Sequence, residues 1–425
     1  MQETGHYIVG LDVGTTEARC VVGYIDSVSP TPNIVGVGVS KNSGGMRKGM
    51  VVNITNTARA IDRALEAAER MSGHQIDAAT VNINGAHVSG MTNKGVIAVG
   101  AQGHEINEDD LARVEEAATI MQMPANREIL QVTPRSYRLD GHENIKDPLG
   151  MNGVRLEVDA HVITALAPNI HNLEKAVEMT HTQPHRLAVS SLAAARAVLS
   201  EQQVENGVVL IDFGGSTVNI AVFEEGDLQH IAVLPVGSNN ITNDLAIGLR
   251  TDLDVAEQLK LRYATGVARE GKDAVKTVSV QQGKETLTFE TEEIDMIVDA
   301  RLDEIFEMID AELKSIQRSG KLPGGAVLVG GGANMAGIET IAKERLRMSA
   351  RTARFDNFQD VSGQVQKPEF ATALGLMLLD IDTQMNQQGG QNNNKSRSSS
   401  AAKQASTTAK KALSGLTSLF KKLKP

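Results

Sequence analysis

The sequence has little cysteine, no long apolar run and, near its end, no acidic residues. Cys20 is the one cysteine among 425 residues, which excludes a disulfide framework and a zinc site built from cysteines. No apolar run approaches the roughly 18–20 residues needed to span a bilayer. Residues 1–10 lack a basic region followed by a long apolar core, so we expect no signal peptide. The lack of disulfides is typical of a protein in a reducing cytosol.

The charge is distributed unevenly along the chain. The formal net charge is −10, yet residues 383–425 contain eight Lys or Arg and no Asp or Glu. The preceding 382 residues therefore carry 34 basic and 52 acidic side chains, a balance of −18. We expect no nucleic-acid partner for this acidic body, because phosphate contacts need clustered Lys and Arg. The basic end instead indicates an anionic surface that is reached only there.

One pattern occurs twice, 200 residues apart. An apolar run leads to Asp12-Val13-Gly14-Thr15-Thr16, and another leads to Asp212-Phe213-Gly214-Gly215-Ser216-Thr217. A further apolar run follows each copy, so each predicts a strand, a tight glycine turn and a second strand. Two copies in the two halves of the chain predict two related domains that face one another.

Helical patterns alternate with the predicted strands, which indicates an α/β fold. Thr55 is placed to cap one helix and Asn107 to cap another, and a long helix is predicted from near Thr291. Between Gly85 and His161 the pattern changes to short strands around one helix. We interpret this stretch as a small inserted α+β subdomain.

The two glycine turns suit phosphate groups. Glycines let backbone N–H groups approach phosphate oxygens, Thr or Ser hydroxyls add donors, and an Asp at the strand end can hold Mg²⁺ through waters. One such turn alone is an ordinary hairpin signal. The pair predicts a phosphate clamp, with Asp12 and Asp212 as the magnesium carboxylates.

A third glycine-rich segment supports the same interpretation. The predicted strand Ala326–Val329 is followed by Gly330-Gly331-Gly332-Ala333-Asn334 and by a helix from about Gly337. A strand-to-helix turn of this kind allows close backbone approach, and a helix N-terminus favours anions. The spacing fits neither a dinucleotide fingerprint nor a P-loop.

These three segments, in this order, resemble the actin/Hsp70/sugar-kinase ATPase superfamily. Within it the sequence resembles the FtsA family of bacterial division proteins, because the loop Gly45–Asn53, the subdomain 85–161 and the segment Phe370–Gly375 also match that family's pattern. The resemblance implies an α/β, actin-like two-domain fold that binds ATP and Mg²⁺.

The resemblance and the composition divide the chain into six parts. The expected parts are residues 1–84, 162–202 and 356–382 for a first actin-like subdomain (1A), 85–161 for the inserted subdomain (1C), 203–235 and 320–355 for a second actin-like subdomain (2A), 236–319 for subdomain 2B, 383–408 for a disordered linker and 409–425 for an amphipathic helix.

The resemblance also implies which residues bind ATP. It adds Glu257 and Lys260, on a helix that contacts the nucleoside in the family, to the glycine-rich segments. The expected set is Asp12, Gly14, Thr15, Thr16, Asp212, Gly214, Gly215, Ser216, Thr217, Glu257, Lys260, Gly330, Gly331, Gly332, Ala333 and Asn334.

Three positions depart from the family pattern. Ser216 replaces the third glycine of the second motif. Glu17 stands where the family often has Lys, and Asn219 stands where an Asp is common. We expect nucleotide binding to survive and hydrolysis to be slow, at most a weak ATPase activity, because a neutral amide is a poor magnesium ligand. The alternative is that Glu17 and Asn219 point away from the ligand.

The end of the chain has a basic amphipathic pattern. Residues 383–408 are mostly polar or small, which predicts a disordered linker. Beyond it, apolar residues recur at helical spacing with Lys between them, which predicts a helix that binds anionic lipids reversibly. The alternative is a helix docked on its own domain. The expected membrane-binding residues are Leu413, Leu416, Leu419, Phe420, Leu423, Lys421 and Lys422.

The resemblance to FtsA implies a function in cell division. It implies an actin-like protein that polymerises with itself, anchors FtsZ filaments (the Z ring) to the cytoplasmic side of the cell membrane at the division site, and recruits later division proteins through the inserted subdomain. Arg301 and Glu304 resemble the helix that receives the FtsZ C-terminal peptide, although they also fit an exposed ion pair.

Two alternative functions remain open. One is a PilM-like pilus-assembly adaptor, which shares the inserted subdomain but is disfavoured by the predicted membrane helix. The other is a superfamily enzyme such as a sugar kinase, for which the sequence offers no catalytic Asp motif.

Overall fold

The computed structural model describes residues 5–26, 31–100, 103–267, 276–355, 359–360 and 363–381. The predicted linker (383–408) and amphipathic helix (409–425), with all seven expected membrane-binding residues, lie outside the described residues. Within the described ranges, no helix has the length and apolar character needed to cross a membrane.

The strands and helices are numbered here in chain order. The strands are β1 (His6–Val13), β2 (Glu17–Ile25), β3 (Asn33–Lys41), β4 (Met46–Arg47), β5 (Met50–Val51), β6 (Ala78–Ile83), β7 (Ser89–Ala98), β8 (Arg127–Leu139), β9 (His142–Ile145), β10 (Arg155–Leu166), β11 (Gln183–Val189), β12 (Val208–Phe213), β13 (Val218–Glu224), β14 (Asp227–Leu234), β15 (Thr277–Gln282), β16 (Glu285–Glu290), β17 (Ala326–Val329), β18 (Ala350–Thr352) and β19 (Gln359–Asp360). The helices are α1 (Ile54–Ser72), α2 (Glu108–Thr119), α3 (Ala167–Glu178), α4 (Ser190–Val198), α5 (Glu201–Asn206), α6 (Ser238–Gly248), α7 (Leu253–Tyr263), α8 (Thr291–Ser315), α9 (Ile338–Leu346) and α10 (residues 371–381).

Two sheets built on the same plan hold the two halves of the chain. The first has the order β11-β6-β1-β2-β3-β19 and the second β14-β13-β12-β17-β18. In each, the strand that carries the Asp pairs antiparallel with the next strand and parallel with a later one, β6 or β17. Asp12 faces Arg19 in the first ladder, as Asp212 faces Asn219 in the second. The prediction of two related domains is therefore confirmed.

Burial explains why the Asp-bearing strands are apolar runs. Strands β1 and β12 are buried along nearly their whole length, because helices cover both faces of mixed sheets of this kind. Glycines let the covering helices approach closely. A Cβ on Gly38 of β3 would lie 1.9 Å from the carbonyl oxygen of Ala64 in α1, and one on Gly375 of α10 would lie 1.7 Å from that of Ala193 in α4.

The helix starts agree with the sequence in two cases out of three. Asn107 caps α2, accepting a hydrogen bond from the amide of Asp110 at 3.1 Å, and the long helix α8 begins at Thr291. The expectation for Thr55 was wrong, since α1 is capped by Asn53, whose side chain accepts from the amide of Asn56 at 2.9 Å. Asn is as good an N-cap as Thr, and it lies one residue before the first helical turn.

The inserted subdomain has its own sheet and core. Strands β7-β10-β8-β9 form an antiparallel sheet against which α2 packs. The strands are longer than the sequence suggested, since β8 has 13 residues and β10 has 12. Polar contacts join the insert to the second half of the chain: the Lys146 ammonium donates to the carbonyl of Glu225 at 2.9 Å, and Arg135 donates to Gln229.

Residues 236–319 contribute the helices α6, α7 and α8 and the hairpin β15-β16. The predicted apolar stripe of α8 is buried, including Ile294, Val298, Leu302 and Phe306. The opposite face of α8 is exposed and carries Met296 and several carboxylates.

Candidate functional site

A cleft of about 730 Å³ lies where the two halves of the chain meet. The ends of β1 and β12, the glycine turns that follow them, and residues of α7 and of the segment after β17 line it. Its size falls within the range of small-molecule sites in proteins, about 300–1,000 Å³. The cleft is therefore large enough for a nucleotide-sized ligand.

The two turns have the same backbone geometry. The amide of Gly14 donates to the carbonyl of Glu17 at 3.0 Å, and the amide of Gly214 donates to that of Thr217 at 3.0 Å. A Cβ on Gly14 would lie 2.8 Å from the Glu17 oxygen, and one on Gly214 would lie 2.9 Å from the Thr217 oxygen. Glycine is therefore required at both places by a close backbone contact.

Hydroxyl groups connect the two turns directly. Ser216 Oγ donates to Thr15 Oγ1 at 2.7 Å, although the two residues are 201 positions apart. Thr15 Oγ1 also accepts from the amide of Gly49, in the β4–β5 hairpin, at 3.1 Å. Asn84 donates to Thr217 Oγ1 at 3.1 Å, so two side-chain hydrogen bonds, made by four polar residues, join the halves at the base of the cleft.

Each turn is preceded by one buried Asp carboxylate that accepts a hydrogen bond from an Asn side chain. Asp12 Oδ1 accepts from Asn82 Nδ2 at 2.7 Å, and Asp212 Oδ2 accepts from Asn219 Nδ2 at 2.9 Å. Both carboxylates are only 8% exposed. Asn219 therefore contacts the carboxylate, which explains how a neutral side chain is accommodated at this position.

Burial raises the pKa of both carboxyls. For Asp12 the pKa reaches about 7, because burial and the nearby charges of Asp212 and Glu17 outweigh the opposing effect of Arg19. For Asp212 it reaches about 6, because burial outweighs the hydrogen bond from Asn219 and the charge of Arg19. Two buried carboxylates that act on each other electrostatically favour the approach of a cation.

Arg19 is a cleft residue that the sequence analysis missed. It lies on β2 directly opposite Asp12, and its Nη2 donates to Glu17 Oε2 at 2.5 Å. The glutamate that departs from the family pattern is thus paired with a cation two residues later. The 200-residue offset, which aligns Arg19 with Asn219, was the signal that could have found it.

The third glycine-rich segment forms a turn beneath the second carboxylate. Gly330 has φ +83°, and a Cβ there would lie 2.5 Å from Asp212 Oδ1. Residues Gly331–Asn334 form a 3₁₀ turn, and the helix begins at Ile338, close to the expected place. Ala333 does not face the cleft, because its side chain packs in the core of the second half. Gly331 has open space before its Cβ position.

Glu257 and Lys260 form a polar cluster with Thr242 of α6. The Lys260 ammonium lies 2.7 Å from Glu257 Oε2 and donates to Thr242 Oγ1 at 2.9 Å. Lys260 is 8% exposed, whereas the Glu257 carboxylate is half-exposed to the cleft. The next residues, Leu261 and Arg262, also line the cleft.

The structure brings together all the expected ATP-binding residues except Ala333 in the lining of one cleft. The cleft residues that the sequence analysis missed come mostly from other elements and have no motif of their own. They include Arg19, Lys41, Asn42, Asn84, Ser190, Asn239, Leu261, Arg262, Met335, Glu369 and Thr372.

The side chains at the base of the cleft fit Mg²⁺ in chemical type. Mg²⁺ prefers oxygen ligands and usually keeps several waters, being held by one or two carboxylates together with phosphates. Asp12 and Asp212 supply two such carboxylates, each with one oxygen not engaged by the amide contact described above. Among the described residues, no group of three or more His, Cys, Asp or Glu side chains could hold a metal.

Arg301 and Glu304 lie outside the cleft, on α8. The Glu304 carboxylate accepts from Arg301 Nη1 at 2.6 Å, and Arg301 Nε donates to Asp244 of α6. The hydrogen bond to Asp244 raises the pKa of Arg301. Two exposed apolar residues, Ile247 at the end of α6 (78% exposed) and Met296 on α8 (67% exposed), lie on the same pair of packed helices.

Two family models match parts of the chain. The family model described as "Cell division protein FtsA" matches residues 209–375, and that of the "SHS2 domain inserted in FTSA" matches residues 85–164. The chain is 34% identical over 384 residues to the cell division protein FtsA of Pseudomonas aeruginosa, covering 90% of this chain and 91% of that protein. It is 37% identical over 370 residues to that of Bacillus subtilis, covering 87% and 82%.

Solved structures with a similar fold share little sequence. A chain of the PilM-PilN type IV pilus biogenesis complex matches with a TM-score of 0.63 at 17% identity, covering 88% of this chain and 98% of that one. MreB5 of Spiroplasma citri bound to ADP matches with a TM-score of 0.55 at 11% identity, covering 91% and 99%. These likenesses concern the fold, and they confirm the predicted actin-like α/β architecture. The family match to residues 85–164 confirms the inserted subdomain.

Proposed function

Because this chain belongs to the FtsA family of cell division proteins, we propose that it is an ATP-binding, actin-like protein that anchors FtsZ filaments to the cytoplasmic side of the cell membrane at the division site. The proposal that the protein binds ATP rests on the cleft, in which two equivalent glycine turns with hydroxyl side chains face each other. The partner and membrane parts rest on the family and on the sequence pattern of the tail.

ATP with Mg²⁺ is the ligand we propose for the cleft. The turn amides and the hydroxyls of Thr15, Thr16, Ser216 and Thr217 supply donors for phosphates. Asp12 and Asp212 would hold Mg²⁺ through waters. The segment Gly330–Asn334 and the polar pair Glu257–Lys260 would enclose the nucleoside. MreB5, which has the same fold, was solved bound to ADP.

We propose that hydrolysis is slow, at most a weak ATPase activity. The side chain opposite Asp212 is Asn219, whose amide is committed to that carboxylate and cannot act as a base toward water. In the first half, Glu17 is engaged by Arg19. Turnover on assembled protein should therefore stay well below the roughly 1–100 s⁻¹ of kinases, and a single-turnover rate above about 1 s⁻¹ would contradict this.

For the FtsZ C-terminal peptide we propose a site on the α6–α8 surface within residues 236–319. Arg301 is held in place by Asp244 and Glu304, while Ile247 and Met296 expose apolar surface elsewhere on the same two helices. Exposed apolar surface suits a short amphipathic helix, which lays its apolar face on such a surface. Arg301→Glu should weaken binding of a fluorescent FtsZ tail peptide at least about tenfold while ATP binding is unchanged; equal peptide affinity would remove Arg301 from the site.

Membrane attachment is proposed for residues 409–425 through the linker 383–408. Leu413, Leu416, Leu419, Phe420 and Leu423 would enter the acyl boundary, and Lys421 and Lys422 would contact anionic headgroups. A second proposal concerns assembly: the chain polymerises head to tail, since repeated heterologous contacts generate a filament, and subdomain 1C (85–161) contacts later division proteins.

The PilM-like alternative has one observation in its favour, the TM-score of 0.63 to the pilus complex. The identity in that match is 17%, however, whereas division proteins match at 34% and 37% over most of the chain. A sugar kinase has no comparable support. We therefore keep division as the proposed function and treat the pilus adaptor as the competing hypothesis.

Reconstitution on vesicles tests the proposal. Anionic vesicles, the full chain and FtsZ are mixed with MgATP, and FtsZ in the vesicle pellet is measured. We expect FtsZ to co-sediment with the full chain and to be lost both with a chain lacking residues 409–425 and with Arg301→Glu. Because Arg301→Glu should itself remain on the vesicles, it is the matched control that separates lipid binding from FtsZ binding. FtsZ sedimentation that is equal in all samples would overturn the anchoring function.

A further inference from the structure

Glu17 and Arg19 form a charged pair on the cleft side of β2. Arg19 Nη2 donates to Glu17 Oε2 at 2.5 Å, and the two side chains are 13% and 33% exposed. They are two residues apart in a strand, so both point to the same side of the sheet. Both residues line the cleft at the end of β2 that adjoins the first glycine turn.

The surroundings of Arg19 fix its position. Its guanidinium carbon lies 5.7 Å from the centroid of the Phe370 ring, which is a cation–π distance. Its Nε is buried and has no hydrogen-bond partner. Arg19 also faces Asp12 across the ladder and acts electrostatically on Asp212. One cation therefore stands among three carboxylates, and the only one it contacts through a hydrogen bond is Glu17.

The second half of the cleft has no such pair. The residues equivalent to Glu17 and Arg19, at the offset of 200, are Thr217 and Asn219, and both are neutral. Thr217 accepts a hydrogen bond from Asn84, and Asn219 donates one to Asp212. The charge that a phosphate chain would meet thus comes unequally from the two halves. In the first half it comes from Arg19 and Glu17 together with Lys41, which lies opposite Glu17 in the β2–β3 ladder.

We propose that Glu17 is an internal competitor that holds Arg19 away from the phosphate chain and so determines how strongly the cleft distinguishes nucleotides by their charge. This proposal rests on nucleotide binding in the cleft. Glu17 acts in two ways: it occupies the guanidinium that would otherwise pair with a phosphate, and it repels the phosphates itself. Both effects grow with the charge of the ligand and vanish for an uncharged nucleoside.

The test measures affinity for three ligands of graded charge. With excess Mg²⁺, MgATP carries about two negative charges, MgADP about one and adenosine none. Calorimetry on Glu17→Gln should show affinity for MgATP raised about tenfold, affinity for MgADP raised about threefold and affinity for adenosine unchanged. Arg19→Gln should lower the affinities in the same graded order. Raising the salt should shrink all of these differences.

Three further variants complete the design. Glu66→Gln removes a carboxylate from the exposed face of α1 and should change none of the affinities. Glu17→Asp keeps the charge and should stay close to wild type for the ratio of MgATP to adenosine affinity. In the double variant that combines Glu17→Gln with Arg19→Gln, the gain in MgATP affinity from Glu17→Gln should be smaller than in the wild-type background, because no guanidinium remains to be released.

The outcomes separate this proposal from the function on which it rests. If Glu17→Gln changes the affinities for all three ligands by the same factor, or changes none, Glu17 has only a structural role and the proposal is overturned. If the gain is the same with and without Arg19, competition for the guanidinium is overturned. If wild type binds neither MgATP nor MgADP, the proposed nucleotide function fails and the inference fails with it. If Glu17→Gln does not fold, two other results decide the proposal. They are the graded loss of affinity for MgATP, MgADP and adenosine in Arg19→Gln, and the ratio of MgATP to adenosine affinity in Glu17→Asp.

Discussion

The two carboxylate turns have the same backbone geometry, but the Asn side chain that donates to each carboxylate comes from a different neighbouring strand. In the first half, the amide that contacts Asp12 comes from Asn82 on the parallel strand β6. In the second half, the amide that contacts Asp212 comes from Asn219 on the antiparallel strand β13. On the antiparallel neighbour, the first half has Arg19 where the second half has Asn219. On the parallel neighbour, the first half has Asn82 where the second half has Val329, because Val81 pairs with Leu11 as Leu328 pairs with Ile211.

This exchange places a cation directly opposite the carboxylate in the first half only. Because Asn82 satisfies Asp12 from the parallel side, the antiparallel position is free for Arg19, which then faces the cleft. Because Asn219 is needed by Asp212, the second half has a neutral side chain at the same place. Two copies of one hairpin can therefore keep the same backbone while the neighbouring strand gives each copy a different task in the site.

The largest expected effect on stability concerns the side-chain amides of Asn82 and Asn219, which contact the two carboxylates. Asn82 accepts from the amide of Val13 at 2.6 Å and donates to Asp12 at 2.7 Å and to Ser190 at 3.1 Å, whereas Asn219 donates only to Asp212 and its Oδ1 has no partner. Asn82→Val should lower the free energy of unfolding by about 4 kcal/mol and Asn219→Val by about 1 kcal/mol. Urea unfolding at pH 7.5 measures both, and equal losses would contradict the difference between the halves.

The next effect is the pH dependence of stability. The pKa of Asp12 is about 7 in the folded protein and that of Asp212 about 6, both above the roughly 3.9 of an unfolded Asp. The folded state therefore binds these protons more tightly, and their contribution to stability, complete below about pH 4, is lost as the pH rises through about 6 to 7.

Replacing each carboxyl by an amide isolates this contribution. At pH 8, without nucleotide and with EDTA, Asp12→Asn should exceed wild type in free energy of unfolding by on the order of 3 kcal/mol, and Asp212→Asn by less. At pH 4 both differences should be small. Urea titrations across this range test the prediction, which fails if the variants track wild type in parallel at every pH.

The smallest effect concerns the contact between the turns. Ser216→Ala removes the donor to Thr15 Oγ1, which keeps the amide of Gly49 as a partner. A loss of about 1 kcal/mol in the free energy of unfolding is expected. Ser216→Thr, which retains the hydroxyl, serves as the matched control. If both variants have the stability of wild type, the hydroxyl contact does not hold the halves together.

Local features of the site could be predicted from the sequence. The glycine turns followed from short-range spacing, because each closes a hydrogen bond over three residues. The relation between the halves followed from the offset of 200, and α2 and α8 began where capping and periodicity indicated.

Features that depend on neighbouring strands could not be predicted. Asn82 lies 70 residues from Asp12, and nothing in its own segment marks it as a partner of a carboxylate. The offset of 200 aligns Arg19 with Asn219, but the pairing of Arg19 with Asp12 depends on the ladder that places the two residues opposite each other. Ala333 shares its segment with cleft residues, but the 3₁₀ turn directs its side chain into the core.

We propose that a nucleotide binds between the two turns and over the segment that follows β17. Gly331 offers the most direct test, because it lines the cleft and nothing lies within 4 Å of its Cβ position, so a side chain can be added without disturbing the fold. The measurement is the dissociation constant of MgATP by calorimetry for wild type, Gly331→Ala and Gly331→Asp. We expect Gly331→Ala to stay within about twofold of wild type, whereas Gly331→Asp, which adds a charge against the nucleotide, should bind at least about tenfold more weakly. Equal MgATP affinity in all three proteins would contradict the assignment of the cleft.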